Sequence, residues 1–155
     1  MRLLLQRVSQ ARVRIDGAVV GEIGTGLLVL VGIGQGDTPA LFGPAIEKVA
    51  NLRIFPDADG NMNRSCVDVG GGILAVSQFT LYADARKGRR PSYIDAMPPA
   101  EARELFGAFV ARLRSDYSAG PVATGVFGAT MQVELVNDGP VTIWLDSADM
   151  PWGKT

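Results

Sequence analysis

Histidine is absent from the chain and cysteine occurs once, at Cys66. That excludes Ser-His-Asp triads, Cys-His dyads, imidazole acid-base catalysis and His metal sites. It also excludes an intramolecular disulfide or a cysteine cluster for zinc or iron-sulfur. Chemistry is left to backbone groups, hydroxyls, amides, carboxylates, Arg and Lys. The best-placed candidates are Ser77-Gln78-Phe79-Thr80, two hydroxyls and an amide where a buried strand enters a polar loop. Edge capping is the commoner role for such a segment. The alternative is a set of side-chain oxygens and backbone N–H groups facing a ligand, the best oxyanion-stabilising candidate available. A threonine hydroxyl is a poor unassisted nucleophile, so electrostatic stabilisation is the expected contribution.

Two further segments carry chemical potential. Arg86-Lys87-Gly88-Arg89-Arg90 puts four positive charges in five residues, in a chain whose net charge is −1. A solvated loop accounts for it, and so does a phosphate-contacting loop, to which the local excess points. Asn137-Asp138-Gly139-Pro140 lies between two apolar runs and reads as a hairpin turn. Gly-Pro is also where a cis peptide costs little, only about 0.5–1 kcal/mol. In that form two successive carbonyls would point nearly the same way, a rigid acceptor pair without a side chain. A fourth segment, Gly32-Ile33-Gly34-Gln35-Gly36-Asp37, has G-x-G-x-G spacing instead of the dinucleotide-binding G-x-G-x-x-G, and reads as a plain turn.

The elements that must position these segments follow from periodicity. Residues 2–8 and 11–15 read as two strands, Asp16-Gly17 as a hairpin turn, and Leu27 to Ile33 as a strand buried on both faces. Thr38-Pro39 starts a helix with Leu41, Phe42, Ala45, Ile46 and Val49 on one side. A short strand is expected over 52–55 and another from Ile73 to Leu81, followed by a basic loop over 82–97. Pro98-Pro99 opens a second helix, with Leu105, Phe106, Phe109, Val110 and Leu113 at the 3.6 period. Strands near 122–126, 131–136 and 141–145 complete the chain. With 155 residues, 47% hydrophobic and 20% charged, the sequence is expected to form one domain over 1–155, its tail after about 147 loose. The fold class is α/β: β-rich, mixed sandwich or barrel-like sheets with two helices packed on one side. No apolar run is long enough for a signal peptide or a membrane span, so a cytoplasmic location is expected.

Together, Ser77-Gln78-Phe79-Thr80-Leu81 and Asn137-Asp138-Gly139-Pro140-Val141-Thr142 resemble the two signature motifs of the D-aminoacyl-tRNA deacylase family. The framework is similar too, through Gln6-Arg7-Val8, Gly21-Glu22-Ile23-Gly24, Arg53-Ile54-Phe55 and Arg90-Pro91-Ser92. The resemblance implies a homodimer, without metal or other cofactor, that hydrolyses the ester joining a D-amino acid to the terminal adenosine of tRNA. It also implies action on glycyl-tRNA, including glycine misloaded on tRNA(Ala), and sparing of L-aminoacyl-tRNA. By the same analogy Gly139 and Pro140 form a cis motif that checks chirality, inserted from one subunit into the other's active site. Arg7 is expected to orient that motif. Ser77, Gln78, Phe79 and Thr80 are expected to line the pocket for the adenosine and the ester carbonyl. Arg86, Lys87, Arg89 and Arg90 are the expected tRNA contacts. An oxyanion hole of backbone N–H groups near Phe79 and Thr80 would supply roughly 3–4 kcal/mol. A covalent Thr80 mechanism and a non-catalytic RNA-binding module on the same scaffold stay open as alternatives.

Overall fold

Residues 1–153 are described by a computed structural model of the chain. Strand β1 (Arg2–Ile15) turns through Asp16-Gly17, both at positive φ, into β2 (Ala18–Ile23), and β3 (Gly26–Gly32) follows. Positive φ at both central residues is what a tight hairpin matched to strand twist requires. A 3-10 turn at Pro39–Leu41 leads into α1 (Phe42–Asn51), then the short β4 (Phe55–Pro56) and β5 (Met62–Arg64). β6 (Gly72–Ser77), α2 (Pro99–Asp116), β7 (Val122–Thr124) and β8 (Gln132–Asp146) complete the main elements.

The main sheet has the order β2-β1-β3-β6-β7, with β8 on the other side of β1, and curls into a nearly closed barrel. β3, β6 and β7 run parallel, and the remaining pairs are antiparallel. Both helices cover one face, where Leu3, Leu5, Leu27, Val29, Ile73 and Ala75 meet Phe42, Ile46, Phe109 and Leu113. On the opposite face Val8, Val13, Leu28, Leu74 and Val76 form a second core inside the curl. This explains why Leu27–Val31 is apolar at every position: each successive side chain enters one core or the other. The mixed α/β class with two helices on one side is therefore the observed fold.

Several expected boundaries shift. The strands expected at 2–8 and 11–15 are one strand, with a pairing irregularity between Val8 and Gln10. The strand expected from Ile73 to Leu81 stops at Ser77, and Phe79–Tyr82 is a 3-10 turn. The expected strand at 52–55 reduces to Phe55–Pro56. Most important, Asn137–Pro140 is not a hairpin turn. Its flanks both pair with β1, Asn137 opposite Val8 and Thr142 opposite Gln6, so four residues of β8 stand opposite Arg7 alone. The segment is a bulge within one long strand.

Beyond residue 146 the chain forms 3-10 turns at Ser147–Asp149 and Pro151–Gly153. Ser147 is buried and donates its N–H to the Met1 carbonyl at 2.9 Å, and Trp152 packs against the helical core. The tail expected to be loose after about 147 comprises these turns and residues 154 and 155, which lie outside the described residues. Among the described residues, no helix is long and apolar enough to cross a membrane.

The helical core depends on Phe109, which is 2% exposed and meets Phe42 edge-on at 5.5 Å between ring centroids. Phe109→Ala is expected to destabilise the fold by about 3–5 kcal/mol, read as a lower urea midpoint with an unchanged slope.

Candidate functional site

The parallel strands β3 and β6 end side by side, Val31 opposite Ser77, and a cleft of about 660 Å³ opens beyond their carboxyl ends. Open α/β sheets commonly bind ligands at this position. One wall is Ser77, Gln78 and Phe79; the others come from Tyr93, from Met97–Pro99 at the start of α2, and from Phe127–Ala129. The lining is mostly apolar, with polar groups concentrated at 77–78.

The 77–80 segment is fixed at both ends. Gln78 donates its N–H to the Val31 carbonyl at 2.8 Å, extending the β3–β6 pairing by one residue. Leu81 then donates to the Gln78 carbonyl at 3.3 Å, the first hydrogen bond of the 3-10 turn. The N–H groups of Phe79 and Thr80 precede that bond, so the turn itself offers them no acceptor. The Gln78 side-chain amide meets the Thr80 hydroxyl in a short hydrogen bond. An amide takes up no proton at either end, so this neighbour does not serve Thr80 as a general base. Thr80 stands one residue behind the cleft wall, which Ser77, Gln78 and Phe79 form directly. Phe79 is 56% exposed and its ring meets Tyr93 edge-on at 5.0 Å. Composition gave no sign of Tyr93, which arrives from the far end of the basic loop.

Tyr82 anchors the turn from behind. It is buried, and a side chain at Gly34 would fall 2.4 Å from its hydroxyl. The glycine-rich loop 32–37 is thus glycine-rich partly to admit this ring, and its Gly34 N–H is held by Asp37 Oδ2 at 2.7 Å. Burial, with the carboxylates of Asp37 and Asp146 nearby, pushes the Tyr82 phenol well above its ordinary pKa. It is a neutral anchor at physiological pH.

The basic loop is a finger between Asp84 and Ser92, which exchange backbone hydrogen bonds at 2.8 and 2.9 Å. Arg86 folds back on Asp84, its Nε and Nη2 reaching the carboxylate at 2.8 and 2.7 Å. Those hydrogen bonds hold the Asp84 carboxyl well below the usual carboxylate range. Arg86 thus serves the base of the finger, and it is exposed like Lys87, Arg89 and Arg90.

The second candidate group forms a separate cluster. The Gly139–Pro140 peptide is cis. Arg7 crosses beneath the bulge, donating from Nε to the Asp138 carbonyl and from Nη1 to the Ile54 carbonyl, both at 2.6 Å. Asn137, which sequence reasoning left without a role, closes the bulge: Oδ1 accepts from Val141 N–H at 2.7 Å, and Nδ2 donates to the Val141 carbonyl at 3.1 Å. At Gly139 a Cβ would stand 2.8 Å from Val141 N and 3.2 Å from Arg7 Nη2, so a larger residue would displace the clasp.

The two groups do not meet within one chain. Asn137 lies opposite Val8, whereas Ser77 is level with Val31 and Leu3, three strands away. Strand geometry makes that roughly 15 Å along the sheet and roughly 15 Å across it.

Comparison with known proteins gives the relatives of the chain. Residues 4–146 match the family model described as D-Tyr-tRNA(Tyr) deacylase. A D-aminoacyl-tRNA deacylase of Thermomicrobium roseum is 61% identical over 154 residues, covering 99% of both chains. One from Desulfitobacterium hafniense is 58% identical, covering 95% of this chain and 97% of its own. Among solved structures, the c-Myc DNA Unwinding Element Binding Protein superposes with a TM-score of 0.89 at 40% identity, over 94% of this chain and 98% of its own. A probable eukaryotic D-amino acid tRNA deacylase shares the fold, with a TM-score of 0.77 at 19% identity.

Arg7 is 9% exposed and serves two carbonyls, so Arg7→Met strands both acceptors. The expected cost is about 1.5–3 kcal/mol, with faster amide exchange at Val141 than in the parent. Urea unfolding and hydrogen exchange measure the two effects.

Proposed function

The chain belongs to the D-Tyr-tRNA(Tyr) deacylase family, and from that premise we propose that it hydrolyses the ester between a D-amino acid and the terminal adenosine of tRNA. One structural observation carries the chemistry: the N–H groups of Phe79 and Thr80 start a 3-10 turn beside the cleft at the ends of β3 and β6. Main-chain donors already in place need no reorganisation as charge develops on the ester oxygen. Loss of one such donor in other acyl-transfer enzymes costs about 2.7–4 kcal/mol. The apolar cleft receives the adenosine, and Phe79 and Tyr93 offer it aromatic surface.

An aminoacyl ester is activated by the neighbouring ribose hydroxyl, so water can attack without an imidazole base. In this reading Thr80 is a hydrogen-bond partner of Gln78 and leaves the attack to water.

Handedness is read by the Gly139 and Pro140 carbonyls. In the cis arrangement they present two acceptors to the substrate's α-ammonium and leave no space on the side of an L-Cβ. A D side chain projects outward. Glycine has no Cβ to reject, so glycyl-tRNA, including glycine misloaded on tRNA(Ala), is accepted by the same geometry. The separation of this pair from Phe79 within one chain supports a homodimer in which each subunit completes its partner's site. The reaction belongs in the cytoplasm, with Lys87, Arg89 and Arg90 contacting tRNA phosphates and Arg86 holding their loop.

Two experiments test this reading. The purified protein is expected to release D-tyrosine from D-Tyr-tRNA in the presence of a metal chelator, and Thr80→Ala is expected to keep substantial activity. Complete loss on Thr80→Ala in a folded protein would point to a covalent mechanism. Intact tRNA binding with no turnover by the parent would leave the non-catalytic RNA-binding module.

Replacing Lys87, Arg89 and Arg90 together by Ala is expected to raise KM and to flatten its salt dependence by about two units of logarithmic slope, with kcat little changed. A full ionic-strength series on parent and variant measures it.

A further inference from the structure

Arg2 opens β1, and its cross-strand neighbour is Asp146 at the far end of β8. Its Nε donates to Asp146 Oδ2 at 2.8 Å, and its Nη1 donates to the Leu81 carbonyl at 3.0 Å. The guanidinium also lies over the Tyr82 ring at 4.4 Å and near the Trp144 ring at 5.7 Å. A guanidinium is suited to this combination, because it offers a planar fork of donors and two faces that stack on aromatic rings. One side chain thereby ties together the end of β8, the last peptide of the 3-10 turn and the aromatic anchor behind it.

The placement says more than packing would. An ion pair of this exposure, 31% for the Arg2 side chain, adds little to stability. The hydrogen bond to Leu81 has a different consequence. The turn begins with Gln78 bound to β3 and ends with Leu81 bound to Arg2, and between those fixed points stand the N–H groups of Phe79 and Thr80. Rotation of the Leu81 carbonyl swings the whole short turn, since each peptide is held by its neighbour three residues away.

We propose that Arg2 is a positioning residue for deacylation: by holding the Leu81 carbonyl against β8 and Tyr82, it fixes the direction in which the Phe79 and Thr80 N–H groups face the cleft. The inference rests on the deacylase reading above. Arg2 does not line the cleft. Its effect is on the rate of the chemical step and not on capture of tRNA.

The test compares the parent with Arg2→Met, which keeps an apolar stem, and Arg2→Lys, which keeps the charge and its pairing with Asp146. Steady-state hydrolysis of D-Tyr-tRNA should show kcat lowered about tenfold in both, with KM little changed, as expected for a donor displaced by a fraction of an ångström. Lysine should fail to rescue, because an ammonium cannot fork to Leu81 and stack on Tyr82 together. A parent-like kcat in either folded variant overturns the proposal. So does a defect that falls in KM and flattens its salt dependence, the mark of a direct phosphate contact.

Amide exchange of the protein without tRNA supplies a readout that needs no turnover. Exchange at Phe79–Ala83 should rise several-fold in Arg2→Met, while β3 and β6 keep the parent's protection. Unchanged exchange in the turn overturns the proposal whatever the activity. Absence of hydrolysis by the parent would instead defeat the deacylase reading, leaving the exchange result to decide whether Arg2 sets the turn.

Discussion

The pairing of β1 with β8 is the constraint from which the rest of the molecule follows. It runs from Arg2–Asp146 to Arg14–Gln132 and is interrupted where β8 swells opposite Arg7. A bulge of that size, standing out from a strand, would collapse or fray without internal support. Arg7 supplies it from below and Asn137 from the side. The energetics separate these contacts from the other ion pairs. Arg112–Asp116 and the pairing of Arg12 and Arg14 with Glu134 lie where solvent competes, and such contacts are worth about 0–1 kcal/mol. Arg7 is buried, and its hydrogen bonds to carbonyls belong to the class worth about 1.5–3 kcal/mol.

A chain without histidine, whose single thiol is buried, has little side-chain acid-base chemistry to deploy. Burial pushes the Cys66 thiol above its ordinary pKa, and the Tyr117 hydroxyl occupies it at 3.2 Å. It is a core group. The alternative is to make the backbone chemically useful, which requires peptide groups that are both unpaired and immobile. Regular sheet and helix use up their N–H and C=O groups, so exceptions arise where regularity breaks. Here the breaks are the 3-10 turn after β6 and the bulge in β8; in the proposed reaction the first presents donors and the second acceptors. Each break is held by an arginine from β1.

Much of this was legible in the sequence, for reasons that can be named. Elimination of imidazole and thiol chemistry isolated 77–80, and the period of the apolar residues located both helices and the buried β3. The Gly-Pro dipeptide, read first as part of a turn, is also where a cis bond costs little. What escaped was long-range. Local rules make Asn-Asp-Gly-Pro a hairpin, and only the pairing of both flanks with one strand makes it a bulge. The strand assigned to Ile73–Leu81 was too long because Phe79 and Leu81 are apolar, though Phe79 faces solvent and meets Tyr93. Asp84 beside Arg86 carries a local signal of pairing within the basic loop. Arg2 gave no signal, since its partners lie 79 and 144 residues away.

The apolar character of the cleft completes the physical picture. A site that stabilises charge with two peptide N–H groups gains most where water is excluded, because the same dipoles act more strongly in a low-dielectric surround. Val31, Ile33, Val76, Met97 and Ala102 supply such a surround next to Ser77–Phe79. Lys87, Arg89 and Arg90 stand outside it on the exposed finger. In the proposed reaction, attraction of a polyanion and stabilisation of a developing charge thus fall to different surfaces. Salt screens the finger within about 10 Å in solution at 0.1 M, while the peptide dipoles beside the apolar wall are screened far less. That division, on the proposed reading, lets substrate capture respond to ionic strength without altering the environment of the ester.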